Sequence, residues 1–370
     1  MSFEVTHRDP VSSARSGILT TAHGQITTPI FMPVGTRASV KAVSQRELME
    51  LDAQIILGNT YHLNLRPGME IMRDAGGLHR FMNWNRPILT DSGGYQVFSL
   101  SKLRKMKPDG VEFQSHIDGS RCFIGPRESM AIQRDLGSDI AMVFDECPPH
   151  PCSHQDASDS LDLTLRWAAD SKAQPHADGQ LVFGIVQGSA YPDLRERSAK
   201  ALVDMGFDGY AVGGVSVGEP EKVMYQAVEW AVPHLPEDQP RYLMGVGTPP
   251  QIVEAVARGI DMFDCVLPTR VGRNGSAYTP DGMLQVKAGK FKSDWTPIQK
   301  DCTCYACRNH TKGYIRHLIN VGEILGLRLL TIHNLHFYLR LAKACRDHIA
   351  AGTFTEFRRE FDSRYQPPKK

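Results

Sequence analysis

Eight short apolar runs recur along the chain, and several end in a polar or glycine-rich tip. The runs are 30–32, 55–57, 88–89, 140–144, 181–186, 210–212, 242–244 and 262–263. Their tips read Gly35, Gly58-Asn59-Thr60, Asp91-Ser92-Gly93-Gly94, Asp145-Glu146, Gln187-Gly188, Gly213-Gly214, Gly245-Val246-Gly247 and Asp264-Cys265. Most of the gaps hold residues with helical periodicity. Buried strands that alternate with helices predict a parallel sheet, and eight of them predict a (β/α)8 TIM barrel of the α/β class. Such a barrel builds its active site at the C-terminal ends of its strands. The tips therefore carry the chemistry, and three of them hold an aspartate: Asp91, Asp145 and Asp264.

The 370 residues suit a barrel with additions, and the 41% hydrophobic content suffices for a full core. No apolar stretch is long enough to span a membrane, and residues 1–5 do not begin a signal peptide. The expectation is a cytoplasmic protein whose eight cysteines are reduced thiols or metal ligands. Charge is unevenly spread. Residues 265–346 carry 13 Lys and Arg against 4 Asp and Glu, a net of +9, whereas the whole chain has +1. A basic third on an otherwise acidic protein is a candidate polyanion footprint.

Three units are expected: a small N-terminal β-sheet over 1–28, the barrel over 29–370, and within it a basic, zinc-binding subdomain over 267–345. The first barrel helix has a capping box in Ser44 and Glu47, with Val43 and Leu48 placed as a hydrophobic staple. Leu194, Ser198, Ala201, Leu202 and Met205 share a helical face that Gly206 terminates. Val223, Ala227, Val228 and Ala231 form a second such face, and Ile252, Val253, Val256 and Ile260 a third. A long helix is predicted over 331–351 and a frayed tail over 364–370.

Cys302, Cys304 and Cys307 lie within six residues. Three thiolates so close suit tetrahedral zinc, and a fourth ligand must come from His310, His317, His333 or His336. A Cys3His site leaves no coordination position for water, so this zinc is expected to be structural. Cys122, Cys147, Cys152, Cys265 and Cys345 stand alone and read as buried small hydrophobes. In Asp91-Ser92-Gly93-Gly94-Tyr95-Gln96, two glycines let the backbone approach a ligand, and Tyr95 offers an aromatic plane. A carboxylate at such a tip can take a proton, act as a nucleophile, or hold a donor-rich ligand. Taken singly, Asp91 also suits a helix cap, Asp145 an ion pair and Asp264 a turn. The glycine-rich late tips suit a flat ligand read by peptide groups. Neither a Walker nor a dinucleotide fingerprint is present.

These motifs, with 144–147, 184–188, 210–214, 243–247 and 262–270, run in the order found in tRNA-guanine transglycosylases, and the chain resembles the bacterial kind over essentially its whole length. The resemblance implies exchange of guanine at the wobble position of tRNAs with a GUN anticodon for preQ1 (7-aminomethyl-7-deazaguanine). It implies Asp264 as the nucleophile toward ribose C1′ and Asp91 as general acid and base. Around the base it implies Ser92, Gly93, Gly94, Asp145 on the N1 and N2 donors, Gln187 and the Gly214 N–H on O6, and Tyr95 and Met244 as a sandwich. It implies His333 as the fourth zinc ligand, a homodimer, and an RNA-facing surface of Gly245, Val246, Gly247, Thr248, Pro249, Pro250, Gln251, Thr269, Arg270, Val271, Gly272 and Arg273. Many members read Thr-Arg-Asn-Ala-Arg where this chain has Thr269-Arg270-Val271-Gly272-Arg273. Val217 and Cys147 resemble the bacterial form, and a β-branched residue beside the ring's 7-position implies preQ1 over the bulkier queuine. The extra RNA-binding domain of archaeal relatives is not expected here. Two rival readings are a barrel glycoside hydrolase with a zinc appendage and a non-catalytic tRNA-binding subunit.

Overall fold

A computed structural model describes residues 2–100 and 104–366, apart from the Leu100 side chain. The part of the predicted frayed tail from 367 onward lies outside the described residues. The parallel sheet runs in the order Ile30–Met32, Met262–Asp264, Arg241–Leu243, Gly209–Val212, Leu181–Val186, Ile140–Met142, Ile88–Thr90, Ile56–Gly58, Val34–Gly35. Its first and last members are two halves of one strand interrupted at Pro33. One half pairs with Met262–Asp264 and the other with Ile56–Gly58. Pro33 has no N–H to give, but its carbonyl accepts the Leu57 N–H at 3.0 Å. The split strand thus serves both neighbours and closes the barrel. Phe31, Phe144, Phe183, Tyr210, Tyr242 and Phe263 are among its largest fully buried side chains, so the core is packed solid beneath the mouth.

Three antiparallel strands, Phe3–Arg8, Arg15–Thr21 and Gly24–Thr28, cover the floor of the barrel. Arg15 clamps them there. Its Nε and Nη2 reach the two oxygens of Asp261 at 3.0 and 2.6 Å, and both side chains are buried. Asp261 lies directly before the eighth strand, at the end remote from the tips. The capping box of the first helix, Gln45–Glu50, forms as its sequence predicts, with the Ser44 N–H donating to Glu47 Oε2 at 2.8 Å. Val43 and Leu48 are both buried.

Two features differ from the sequence expectation. A three-stranded antiparallel sheet, Arg104–Lys107, Gly110–Gln114 and Arg121–Ile124, follows the third barrel strand. Its charged edge, Arg104-Lys105-Met106-Lys107, lacks the apolar alternation that marks a strand. The long helix begins at Ile324 rather than Thr331 and ends at Ala350. The bare Cα of Gly326 lets the helix cross Lys312–Asn320 closely; a Cβ there would lie 2.9 Å from the Leu318 Cβ. Among the described residues no helix is long and apolar enough to cross a membrane.

Candidate active site and metal centre

The third, fourth and eighth strands deliver Asp91, Asp145 and Asp264 to one end of the barrel. Asp91 is buried between the tips of the second and third strands. Its Oδ1 accepts the Thr60 N–H at 2.9 Å, its Oδ2 accepts from Asn59 Nδ2, and its own carbonyl takes the Thr60 hydroxyl at 2.5 Å. It therefore caps the start of the helix Thr60–Leu65. Burial pushes its carboxyl up to about 7, with the charges of Asp264 and Asp145 adding to the rise and the Thr60 N–H opposing it. Asp264 differs. The Tyr242 hydroxyl and the Gly245 N–H both donate to its Oδ1, at 2.5 and 2.7 Å. Among the described residues Oδ2 receives no such bond. Burial raises the Asp264 carboxyl too, and these two donors counter it.

Asp145 is held by side chains from both neighbouring strands. The Gln187 amide donates to Oδ2 at 2.7 Å and the Ser92 hydroxyl to Oδ1 at 3.3 Å. Burial lifts its carboxyl to about 6. Glycines make this crowding feasible: a Cβ on Gly94 would lie 2.9 Å from the Asp145 carbonyl, and one on Gly214, where φ is +62°, would lie 2.2 Å from Gln187 Oε1. Among the described residues Gln187 Oε1 is buried without a partner. Tyr95 stands exposed on the helix Gly94–Leu100, and Met244 lies half-buried beside Gly213.

Sequence reasoning missed Asn59, Thr60 and Tyr242 as partners of the carboxylates, and Arg195 behind the fifth and sixth tips. Asn59 and Thr60 stood in a recognisable tip, but their role depends on strand adjacency. Of the residues expected to face RNA, Val246, Gly247, Pro249, Thr269 and Gly272 are buried. Gly245, Thr248, Pro250, Gln251, Arg270, Val271 and Arg273 keep exposed surface. Gly272 has a packing reason instead: a Cβ would lie 3.0 Å from Thr331 N and Oγ1, on the long helix. Cys265 and Cys345 are buried as expected, whereas Cys122, Cys147 and Cys152 keep some exposed surface because they sit in connecting segments and a short edge strand.

The cysteine cluster meets His333. The Sγ atoms of Cys302, Cys304 and Cys307 lie 3.7, 3.6 and 3.3 Å from its Nδ1. All four donor atoms fall within 4.8 Å of one another. Ligand spacings of ~3.5 Å follow from metal–sulfur and metal–nitrogen bonds of ~2.3 and ~2.0 Å in a tetrahedron, so the set fits a metal ion. His333 Nε2 sits 2.7 Å from the Tyr278 carbonyl, which holds a proton on that nitrogen and leaves Nδ1 as the ligand. His310 is instead stacked on Tyr314, and His336 approaches Thr303.

The sequence model of the family described as queuine tRNA-ribosyltransferase matches residues 9–367. The queuine tRNA-ribosyltransferase of Desulforudis audaxviator is 56% identical over 360 residues, 97% of each chain. That of Pelotomaculum thermopropionicum is 54% identical over 366 residues, 99% of each, and that of Natranaerobius thermophilus 55% over 367 residues, 99% of each. Because the likeness spans the floor sheet, the barrel tips and the metal cluster alike, this chain belongs to the queuine tRNA-ribosyltransferase family.

Proposed function

We propose that this protein is a tRNA-guanine transglycosylase acting in queuosine biosynthesis, which replaces guanine at the wobble position of GUN anticodons with preQ1. The observation that carries this reading is the set of three carboxylates at one mouth, each in a different environment. Asp264 presents an unencumbered Oδ2. It attacks ribose C1′ as the C1′–N9 bond breaks, and Asp91 gives its proton to the departing guanine, which leaves the Asp91 carboxylate ready for the second step. The incoming base then loses a proton to Asp91, whose carboxyl, at about 7, exchanges protons near neutral pH. The base attacks C1′ and releases Asp264. Two displacements at one carbon retain its configuration, as in retaining glycosidases. Asp145 accepts the N1 and N2 donors of the base, the second N–H of the Gln187 amide and the Gly214 N–H donate to O6, and Tyr95 and Met244 cover the two faces. The target nucleotide leaves its stack to enter the mouth.

The metal is one zinc ion per chain, held by Cys302, Cys304, Cys307 and His333. Its ligand set is closed, so it supplies folding energy to the subdomain over 267–345 and no reaction chemistry. The apolar side chains of Val321, Ile324 and Leu325, exposed on this subdomain, support pairing with a second copy of the chain. Val217 sits half-buried beyond Gly214, its N–H bonded to Glu219 at 2.9 Å. Its branched side chain admits an aminomethyl arm and excludes the cyclopentenediol of queuine. Val217→Gly should therefore raise queuine incorporation by tenfold or more, within the ~1–3 kcal/mol that a steric pocket change commands. Competition between the two bases measures it, and an unchanged ratio removes Val217 as the gate.

Incorporation of labelled guanine into a purified GUN-anticodon tRNA by the protein alone tests the whole reading. Exchange is expected. Release of abasic tRNA without exchange would instead indicate a hydrolase, and no reaction would indicate a non-catalytic binding subunit.

A further inference from the structure

Among the described residues Arg195 forms no salt bridge; the charge of Glu219 acts on it only from beyond contact. The Arg195 side chain is fully buried on the helix Pro192–Met205. Its donors are spent on backbone carbonyls. Nη1 reaches Val186 O at 3.0 Å and Gly213 O at 2.7 Å, Nη2 reaches Gly214 O at 3.3 Å, and Nε reaches Ser189 O at 2.9 Å. Burial lowers the guanidinium to about 10, which still leaves it charged at neutral pH. A buried cation is costly, and bonds to carbonyls return only part of that cost. A device that merely tied two strand ends together would not need the charge.

The peptide geometry gives the reason. In a trans peptide the C=O of one residue and the N–H of the next point in opposite directions. Arg195 reaches in from the helix layer outside the barrel and takes the Gly213 carbonyl. The Gly214 N–H is thereby turned toward the mouth. It has no acceptor among the described residues, and it lies beside Gln187, whose Oε1 is likewise unpartnered. The guanidinium also polarises the same peptide, which strengthens its N–H as a donor.

We propose that Arg195 is a positioning residue for base recognition: by pinning the Gly213 and Gly214 carbonyls to the outside of the barrel, it aims the Gly214 N–H at the six-position oxygen of the bound guanine-like base. This rests on the proposed transglycosylase reading and adds a residue that does not touch the substrate. The planar fork matters, because four carbonyls are met by one side chain and an ammonium group cannot span them.

The test compares Arg195→Lys with the unaltered protein, using guanine and 6-thioguanine, which share the N1 and N2 donors but differ in the acceptor at position six. In Arg195→Lys the KM for guanine should rise about tenfold with kcat at saturating base and the KM for tRNA nearly unchanged, as expected for loss of one well-aimed hydrogen bond. The KM for 6-thioguanine should rise by less than about twofold, since a sulfur acceptor gains little from that bond. Equal losses for the two bases, or no loss for guanine, would overturn the proposal. Should the variant fail to fold, hydrogen exchange of the unaltered protein decides. Exchange at the Gly214 amide should slow with guanine and much less with 6-thioguanine, and equal protection by both would overturn it. Asp145→Asn is the control for the underlying reading: it should lose affinity for both bases, and full retention would refute base binding at this mouth whatever Arg195 does.

Discussion

Tyr242 and the Gly245 N–H hold one oxygen of Asp264 and leave the other free. Asp264→Asn preserves that held oxygen and removes the proposed nucleophile. This variant should form no covalent adduct with tRNA on a denaturing gel, while noncovalent tRNA binding stays near that of the unaltered protein. A normal adduct would assign the nucleophile elsewhere. Asp145 gives a pH signature. Its carboxyl accepts the base's donors only when ionised, and burial has raised it to about 6. The acceptor form is present above that value and is lost as pH falls through it. The KM for base should therefore climb about tenfold per pH unit below that value, and the climb should be absent in Asp145→Asn. A flat profile in the unaltered protein would show that Asp145 does not titrate in the free site. At this scale the carboxylates are legible from sequence because each ends an apolar run. Tyr242 and Asn59 are not, because each acts on the neighbouring strand's aspartate, and that adjacency exists only once the barrel has closed in register.

Element by element, legibility follows how local the signal is. The capping box at Ser44 and Glu47 involves four consecutive residues and forms as read. The three cysteines are equally local. Their histidine partner is not: His333 lies in the middle of the long helix Ile324–Ala350, 26 residues beyond Cys307, and spacing alone ranks it no higher than His310. What selects it is the hairpin Ser276–Thr279 with Gly282–Gln285, whose Tyr278 carbonyl orients the ring. Asn334, one residue on, fastens the same hairpin by accepting the Tyr278 N–H at 2.9 Å and donating to the Ser276 carbonyl at 3.1 Å. A metal held there would weld helix to cysteine loop. Cys304→Ser should lose the zinc and open this module to proteolysis, because binding energy on the order of 10 kcal/mol is folding energy for such a site. Binding of the free base, which uses the barrel tips, should persist while tRNA binding weakens. A metal-free protein with an intact, protease-resistant module would refute the structural role.

Across the whole molecule, charge and geometry converge on one edge of the mouth. The eighth strand ends at Asp264, and the helix Leu267–Arg273 carries Arg270 and Arg273 directly out of it into the basic subdomain. Arg270, Lys287, Lys290, Lys292, Lys300 and Arg308 are exposed, and among the described residues none has a carboxylate partner. Arg273 adds a buried Nη1 with no acceptor. Unpaired cations on the segment that follows the eighth strand suit a phosphate backbone, whereas a barrel that processed small neutral sugars would have no use for them. The acidic remainder of the chain would repel the same polyanion, which supports the proposed docking of tRNA at this edge. Neutralising phosphates releases counterions, and each contact contributes about 0.7 to 0.9 to the slope of log affinity against log salt. Replacing Arg270 and Arg273 together by glutamine should make that slope shallower by about 1.5 and weaken tRNA binding at low salt, with the KM for free base unchanged. Fluorescence anisotropy of labelled tRNA over a salt series measures it. An unaltered slope would mean that the two arginines do not meet phosphate, and would move the RNA path to the exposed lysines of the hairpin side.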